Sequence, residues 1–450
     1  MSAAAADLVK FVRAGDPRRL ARLLPRLDAV QIAAQLDNLE PAEQDQVLQH
    51  LPAERRPQVL AGMRYEVAAE ILERLAPEEA AGLLDNLETD DAADILGRID
   101  EDKLRQILAR LPSADALALE ELMAYPAHSA GGIMSPDFFS VTQDVTIAEA
   151  TRLIQTVDKL PQHVHYLYVV DEHERLVGVI GLRHLVLSKP DQPIHAVMAT
   201  ELVSVTATTD QEKVAEVASR YDLVAIPVVD DQRRLIGVVT IDDIVDVLRE
   251  EATEDILKMA GAGQMLVDTK SFLSSFRARL PWLGAAAFGG LLVAVSLQGF
   301  EDALRQIPVL ALFMPVVAGM GGNVGTQSST IVVRGLAVGY VETSRLGKLL
   351  AREVGLGAAL GLVYGVAVAA VAPMLGATWS DPLGLGAVIT LGMMGSMVIA
   401  AGVGTSVPLF LHKINVDPAI ATGPFVTTSV DILGLLFYFY LATILLRIPG

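Results

Sequence analysis

The 450-residue chain contains no cysteine. That absence excludes disulfide bridges, thiolate metal sites and cysteine nucleophiles, and it fits a reducing or cytosol-facing location. Basic residues are also scarce, since 35 Lys and Arg stand against 54 Asp and Glu, for a formal net charge of −19 at pH 7. Because phosphate backbones are bound by clustered Lys and Arg, this imbalance argues against a nucleic-acid surface and favours cations as partners.

The acidity is confined to the first 276 residues. Residues 277–450 contain nine basic and seven acidic side chains, a net charge of +2, which leaves 26 basic and 47 acidic side chains for residues 1–276, a net charge of −21. The C-terminal part instead contains apolar stretches, each reaching the roughly 20 residues that span a hydrocarbon core as a helix. These stretches are 280–300, 306–333, 354–380, 382–411 and 418–446.

The charges that flank the apolar stretches predict a topology. The N-terminus lacks a charged segment followed by an apolar one, so we expect no signal peptide and a cytoplasmic location for residues 1–276. With the N-terminus inside, most basic residues that flank the apolar stretches lie on the cytoplasmic side, as the positive-inside rule requires. These residues are Arg277, Arg279, Arg334, Arg345, Lys348, Arg352 and Lys413. Only Arg305 and Arg447 lie on the other side. The sequence predicts five spans with the C-terminus outside.

Residues 1–128 are predicted to form an all-α superhelical domain. Between residues 20 and 112, leucine-like residues recur with a 12-residue period, as at Leu27 and Leu39, each preceded three residues earlier by another leucine, as at Leu24 and Leu36. The i, i+3 spacing indicates one helix face, and prolines near the unit joints can begin helices. Since one short helix cannot bury its apolar stripe alone, the units must stack into a scaffold. This domain contains an acidic cluster, formed by Glu88, Asp90, Asp91 and Asp94. The acids either stabilise a solvated helix N-terminus or face the surface of a binding partner.

Residues 130–250 contain a duplicated α/β pattern. The segments 167–171 and 176–180 match 226–230 and 235–239, and strands are predicted at Phe139–Val141 and Val203–Val205. The duplication resembles a tandem pair of CBS domains, at 129–195 and 196–248. Such pairs often bind adenine nucleotides, and the second repeat has Thr240 and Asp243 at the matching positions. The first repeat departs from that pattern, and capping of the next helix explains Thr240 and Asp243 equally well.

An acidic helix connects the CBS pair to the apolar part, within a connecting segment at 242–270. Its like charges stand three and four residues apart, which is mildly destabilising. They are Asp243, Asp246, Glu250, Glu251, Glu254 and Asp255, only partly offset by Arg249 and Lys258. Asp417 begins the fifth apolar stretch and opposes this helix in the predicted topology. Carboxylate oxygens select Mg²⁺ and Ca²⁺, so the pattern favours a latch controlled by divalent cations over a merely solvated helix.

The fifth stretch is interrupted only by Asp431, near its middle. A charged group there is costly and is expected to face water, an ion or a partner charge, although a protonated carboxyl bonded within the bundle is an alternative. No other charged side chain is expected deep in the spans. The second stretch contains Gly319-Met-Gly-Gly-Asn-Val-Gly-Thr-Gln-Ser-Ser-Thr330, whose small residues either line a path or permit close helix packing.

The whole chain resembles the MgtE family of bacterial magnesium channels, through the helical repeat, the CBS pair, the acidic helix, GGNVGTQS in the second span and GPFVTTSVD in the fifth. The resemblance implies a homodimer in the cytoplasmic membrane, with a five-helix pore domain at 277–450 and Asp431 of both chains holding hydrated Mg²⁺. The residues expected to line the pore are Gly319, Gly322, Asn323, Thr326 and Thr427.

The resemblance further implies regulation by cytosolic Mg²⁺, with ATP adjusting the response. The implied regulatory ligands are Asp90, Asp94, Glu212, Asp222, Asp243, Asp246, Glu251, Glu254, Asp255 and Asp417. Gln58 departs from relatives that place an acid at its position, which puts a further metal site there in doubt.

The expected function is passive Mg²⁺ uptake that cytosolic Mg²⁺ closes. A proton-coupled divalent transporter, with Asp431 as the titrating group, is the main alternative. A CBS-regulated anion channel is opposed by the lack of basic residues within the spans. An enzyme is not expected, because no nucleophile, base and pocket constellation is evident.

Overall fold

The computed structural model describes residues 3–156, 164–261, 272–337, 346–375, 381–414 and 416–446. The chain forms two compact units, Met1–Leu248 and Arg249–Gly450. Arg345, Arg447 and positions 262–270 of the predicted connecting segment lie outside the described residues.

Short helices make up the first half of the first unit. Aspartate caps and prolines at first helical positions set their starts, as where Asp28 Oδ1 accepts the Gln31 N–H at 2.7 Å and where Pro41 opens a helix. The helices are α1 (Ala3–Arg13), α2 (Pro17–Leu23), α3 (Ala29–Leu36), α4 (Pro41–His50), α5 (Arg56–Ala61), α6 (Tyr65–Arg74), α7 (Pro77–Leu84), α8 (Thr89–Leu96), α9 (Glu101–Leu108) and α10 (Ser113–Met123).

The repeating leucines form the core of this helical array, as the period predicts. One detail of the prediction is wrong, because the two leucines of a unit do not share a helix face. Leu36 is the last residue of α3, whereas Leu39 follows in the turn, and both are buried. The later leucine therefore closes the turn onto the next helix, which explains why the repeat needs only 12 residues per unit.

Two similar three-stranded sheets follow, in agreement with the predicted duplication. In each sheet the first two strands are parallel and the last two antiparallel, and the register shifts at the same place, between Val169 and Val170 and between Val228 and Val229. The strands are β1 (Ser140–Thr142), β2 (Tyr166–Val170), β3 (Leu176–Gly181), β4 (Val205–Thr206), β5 (Ala225–Val229) and β6 (Leu235–Thr240). The helices are α11 (Ile147–Thr156), α12 (Leu182–Leu187), α13 (Gln211–Tyr221) and α14 (Ile241–Met259).

The second unit consists of long apolar helices. They are α15 (Phe272–Gln298), the short α16 (Glu301–Gln306), α17 (Leu310–Ala337), α18 (Leu346–Val371), α19 (Pro382–Lys413) and α20 (Pro424–Leu445). Within the described ranges, four segments are long and apolar enough to cross a membrane, namely Ser275–Gln298, Leu346–Met374, Pro382–Lys413 and Pro424–Leu445. The remaining long helix, α17, has 28 residues but carries the polar and glycine-rich motif. Five spans therefore stay a prediction, while four apolar helices fit a transmembrane domain.

Glycines bring the long helices together around α19. A Cβ at Gly357 would lie 2.6 Å from the Met397 carbonyl oxygen, and one at Gly365 would lie 2.7 Å from Thr390 Cα, so α18 and α19 touch through their backbones. A Cβ at Gly404 of α19 would collide with the carbonyl oxygen of Gly325 in α17. Such contacts are typical of helix packing in membranes, where apolar surface alone gives no driving force between helices.

Candidate cation sites

One face of α17 is left uncovered by the residues that the structure describes. A Cβ at Gly319 or Gly322 would meet open space, Asn323 is exposed, and Thr326 is half-buried. Gly322 and Asn323 lie three and four residues after Gly319, and Thr326 lies three residues after Asn323, so the four positions form a single stripe along the helix. The stripe offers an amide, a hydroxyl and open space along its length, and it contains four of the five residues expected to line a pore.

The opposite glycines of the same motif serve helix packing. A Cβ at Gly321 would lie 2.7 Å from Ser396 Oγ, and one at Gly325 would lie 3.0 Å from Val426 Cγ1. The two explanations of the glycine-rich motif therefore apply to different glycines, since Gly321 and Gly325 hold α17 against α19 and α20, while Gly319 and Gly322 lie on the uncovered stripe.

Asp431 lies on α20, one turn after Thr427, and both side chains are half-buried. The residue before it, Val430, packs against Gly321 and Gly325 of α17, so Asp431 lies beside the contact between the two helices. Thr427 Oγ1 contacts the carbonyl oxygens of Gly423 and Pro424 at 3.3 Å, at the start of α20. Among the described residues, none forms a hydrogen bond or ion pair with Asp431. The carboxylate is therefore available to a cation.

A second acidic group lies where the end of α14 meets the turn before α20. Lys258 Nζ donates to Asp417 Oδ2 at 2.5 Å and also pairs with Glu254. Burial, followed by repulsion from Asp417, raises the pKa of Asp255 to about 6, although Lys258 opposes the change. The structure brings Glu254, Asp255 and Asp417 near one another and places the ammonium group of Lys258 among them, and the latch stays a prediction.

A third acidic group lies where α8 meets the first turn of α14. Asp90 is 8 % exposed, and its Oδ1 has no hydrogen-bond partner among the described residues. Burial first, then repulsion from Asp243 and Asp91, raises the pKa of Asp90 well above its usual range. Burial also raises the pKa of Asp243, against the lowering effect of its hydrogen bonds from Thr240. Carboxylates in this arrangement are stabilised either by protons or by a cation.

The comparisons with known proteins identify the family. A model described as a divalent cation transporter matches residues 314–441, the MgtE intracellular N domain matches 27–128, and CBS domains match 130–189 and 194–250. The magnesium transporter MgtE of Bacillus subtilis is 40 % identical over 334 residues, which are 74 % of this chain and 73 % of that relative.

The chain belongs to the MgtE family.

Further MgtE relatives agree with this assignment. The magnesium transporter MgtE of Thermus thermophilus is 35 % identical over 333 residues, 73 % of this chain and 72 % of that relative. A crystal structure of the cytosolic domain of the Mg²⁺ channel MgtE in complex with ATP is 33 % identical, with a TM-score of 0.51, and covers 54 % of this chain and 99 % of that one. MgtE is a family of membrane transporters and not of enzymes, which confirms that expectation.

The remaining ligands that the MgtE resemblance implies are exposed or half-buried and lie on α8, on α14 and on or directly after α13. Glu212 is exposed in the first turn of α13, Asp222 ends that helix with a φ of 52°, and Asp246 is exposed on α14. Asp94 lies 3.9 Å from Arg98, and Glu251 is half-buried. Among the described residues of one chain, no group of three or more acids or histidines is arranged to hold a metal ion. The ligand sets stay predictions, as does the doubt about Gln58, which is exposed on α5.

Thr240 and Asp243 are hydrogen-bonded to each other at the start of α14, where the Thr240 N–H donates to Asp243 Oδ2 at 3.4 Å. Thr240 Oγ1 donates to Asp242 Oδ1 at 2.5 Å and to Asp243 Oδ2 at 2.7 Å, at the start of α14. Their role at a nucleotide stays a prediction. A small cleft elsewhere in the CBS pair was missed by sequence reasoning, and its lining is Asp137, Phe138, Phe139, Val164, His165, Tyr166, Tyr168, Ala225 and Val238.

Two side chains near the predicted sites also went unpredicted. Tyr65 donates its hydroxyl to Asp91 Oδ1 at 3.2 Å beside the third acidic group. Glu353 is 4 % exposed within α18, so the expectation that only Asp431 is a charged group deep in the spans is corrected. The apolar stretch begins at 354, whereas the helix already begins at Leu346 and carries Glu353 two turns into the bundle. An acid at the edge of an apolar stretch was the available signal.

Proposed function

We propose that the protein is a Mg²⁺-selective channel for magnesium uptake across a bacterial cytoplasmic membrane, and that cytosolic Mg²⁺ closes it. The observation that carries the proposal is that α17, which has the uncovered stripe, packs against α20, which carries the half-buried Asp431, in the region that resembles a divalent cation transporter. An ionisable group in a span that has no partner charge is typical of an ion pathway.

The pathway forms between two copies of the chain. One stripe alone is open on its outer side, so a second copy supplies the opposite wall and a second Asp431. Mg²⁺ sheds its water reluctantly, and the two carboxylates therefore hold it through its hydration shell. The five long helices cross the membrane, with residues 1–276 in the cytoplasm and the C-terminus outside.

The gate uses the two acidic groups outside the pathway. When cytosolic Mg²⁺ is low, repulsion among carboxylates such as Asp90, Asp243, Asp255 and Asp417 favours separation of the elements that carry them. Bound Mg²⁺ offsets that repulsion and favours the closed arrangement. The closed state must bind Mg²⁺ more tightly than the open state, because a ligand shifts an equilibrium only by its differential affinity.

An adenine nucleotide adjusts this response through the CBS pair. The cleft described above contains Phe138 and Tyr166, which are partly exposed and whose rings are suited to stacking on a purine. Support comes also from the relative whose cytosolic domain was crystallised with ATP. Thr240 and Asp243 are the second candidate location.

Patch-clamp recording with varied cytosolic Mg²⁺ tests the pathway. Asp431→Asn removes the charge at nearly constant volume, and we expect Mg²⁺ current to fall by at least about tenfold, the effect of roughly 1.4 kcal/mol on a barrier. Asp302→Asn, at an exposed acid in α16, is the matched control and should conduct normally. Mg²⁺ currents that survive Asp431→Asn unchanged would defeat the proposal.

The alternative is proton-coupled transport, and the partnerless carboxyl of Asp431 is the observation that favours it. Flux into liposomes at fixed voltage separates the two mechanisms. A channel predicts flux that is independent of an imposed pH gradient, whereas coupling to protons predicts flux that follows the gradient.

A further inference from the structure

The membrane unit contains a buried acid that the proposed pathway does not use. Glu353 lies on α18, and its Oε2 accepts a hydrogen bond from Ser328 Oγ at 3.1 Å. Its Oε1 has no hydrogen-bond partner in the described part of the chain, and the exposed Arg352 approaches it only to 3.6 Å. Burial of a carboxylate is costly, and an apolar side chain would fill the same space without that cost.

Ser328 belongs to the glycine-rich motif of α17. Its neighbour Ser329 is fully buried and shares a hydrogen bond of 2.9 Å with Thr422, in the turn that precedes α20. Two successive residues of α17 are thus tied in different directions, one to α18 and the other to the turn before α20. Successive residues point about 100° apart around a helix, so together the two bonds oppose rotation of α17 in either sense.

The rotation of α17 decides where the uncovered stripe lies. Thr326 and Asn323 precede Ser328 by two and five residues on the same rigid helix. A helix with its side chains has a radius of about 5–6 Å, so a rotation of about 20° moves a stripe side chain by roughly 2 Å. Such a displacement is large beside the tolerance of about 0.5 Å that a binding constellation allows.

Packing alone does not tie α17 to α18. The close contacts of α18 are with α19, through Gly357, Gly361 and Gly365, and α17 also packs on α19 and on α20. The hydrogen bond between Glu353 and Ser328 therefore bridges two helices that otherwise meet mainly through a third. It can be lost without removing the glycine contacts that hold the bundle together.

We propose that Glu353 is a positioning residue for cation permeation, which fixes the rotation of α17 through Ser328 and so holds Asn323 and Thr326 at the pathway. The inference rests on the proposed pathway along α17. It assigns a role to Ser328, a residue of the glycine-rich motif that does not lie on the uncovered stripe.

Single-channel recording of Mg²⁺ current at low cytosolic Mg²⁺ tests the inference, because unitary conductance reports the pathway and not the gate. Glu353→Gln keeps an acceptor for Ser328, so we expect conductance close to that of the wild type. Glu353→Leu and Ser328→Ala remove the bond, and each should lower conductance by about tenfold, as a hydrogen bond to a charged group implies. The double variant should conduct no worse than Glu353→Leu alone, since both changes remove the same bond.

The outcomes separate this inference from the proposed function. Wild-type conductance in Glu353→Leu or in Ser328→Ala would overturn the inference, as would a loss in Glu353→Gln equal to that in Glu353→Leu. If Glu353→Leu does not assemble, Ser328→Ala decides alone. If the wild type carries no Mg²⁺ current, or if Asp431→Asn conducts normally, the proposed function fails whatever the Glu353 variants do.

Discussion

Lys258 partly neutralises the acidic group that contains Glu254, Asp255 and Asp417. Its ammonium group lies against both Asp417 and Glu254, and this pairing raises the pKa of Lys258 although burial acts in the opposite direction. The lysine is therefore a permanent cation among carboxylates that are proposed to take up Mg²⁺. It holds α14 to the turn before α20 without any metal.

Loss of that charge should favour the open channel. In Lys258→Met the side chain keeps its length, but nothing offsets the repulsion among Glu254, Asp255 and Asp417 when Mg²⁺ is low. We expect the open probability in nominally Mg²⁺-free cytosolic solution to rise at least about threefold, which corresponds to less than 1 kcal/mol. Patch-clamp recording measures it. Lys258→Arg keeps the charge and should resemble the wild type, while an unchanged open probability in Lys258→Met would contradict the latch.

For single residues, the sequence shows which side chains are chemically unusual more readily than it shows which residues they contact. Asp431 stands out in the sequence because a lone acid in an apolar stretch is costly wherever it lies, and its role stays a prediction. The bond of Glu353 to Ser328, the bond of Tyr65 to Asp91 and the pairing of Lys258 with Asp417 could not be predicted, because each depends on contacts between segments far apart in the chain. A sequence period carries no information about such contacts.

At the scale of elements, the glycines of α17 and α19 have two different roles. Gly404 lies so close to the carbonyl oxygen of Gly325 that any Cβ there would collide with backbone, whereas a Cβ at Gly319 would meet nothing within 4 Å. The same residue type therefore serves helix contact at one position and open space at the other.

A pair of alanine substitutions separates the two roles. Gly404→Ala should destabilise the solubilised protein by about 1–3 kcal/mol, as overpacking does, and so lower its melting temperature. Gly319→Ala should leave the melting temperature unchanged and instead lower Mg²⁺ conductance, since it adds a methyl group to the stripe. Equal melting temperatures for the two variants would show that the helices do not touch at Gly404.

The acidic start of α8 predicts a pH dependence of stability. Burial raises the pKa of Asp91 from its ordinary value of 3.8 to about 6, despite the opposing hydrogen bond from Tyr65. A carboxyl whose pKa is raised by folding binds its proton more tightly in the native state, so its contribution is fully present below the ordinary pKa and is lost as the pH rises through the raised one.

We therefore expect the melting temperature of the full chain in EDTA to fall as the pH rises from about 4 to about 6. Excess Mg²⁺ should offset the fall, because a cation stabilises the charged form. Asp91→Asn removes one of the titrating groups and should make the fall shallower, while Asp90 and Asp243, whose pKa values burial also raises, keep part of it. A melting temperature that rises across this interval in EDTA would contradict the assignment.

The sequence predicts the presence of helices and strands more reliably than it predicts where each one ends. The 12-residue period predicted short stacked helices, but it could not show that the second leucine of each unit lies in a turn, since burial in a turn and on a helix face leave the same pattern. The duplicated strands were predicted because β-branched runs and Asp turns recur in both halves. The span count is harder at α17, where the polar residues of the motif lower the hydropathy that identifies a span.

At the scale of the whole molecule, the proposed pathway lies in one unit, whereas the acids proposed to sense Mg²⁺ are divided between both, with Asp255 and Asp417 in the second. Asp431, the stripe of α17 and Glu353 all belong to the second unit, while Asp90, Asp91 and Asp243 belong to the first. The net charge follows the same division, because nearly all the acidity lies before residue 277. A division of this kind predicts that sensing can be removed while conduction is kept.

Deletion of residues 1–128 tests that division, since it removes Asp90, Asp91 and Asp94 and leaves the CBS pair, α14 and the membrane helices in place. Unitary Mg²⁺ conductance should equal that of the full chain, because no pathway residue is lost. The cytosolic Mg²⁺ concentration for half-maximal closure should rise by about 5–150-fold, the range for a coupling free energy of roughly 1–3 kcal/mol between sites. Recordings from the full chain carrying Asp90→Asn and Asp91→Asn should shift in the same direction by a smaller factor, because the remaining acids still bind Mg²⁺. Closure at an unchanged Mg²⁺ concentration in the deleted chain would place the sensor within α14 and Asp417 alone.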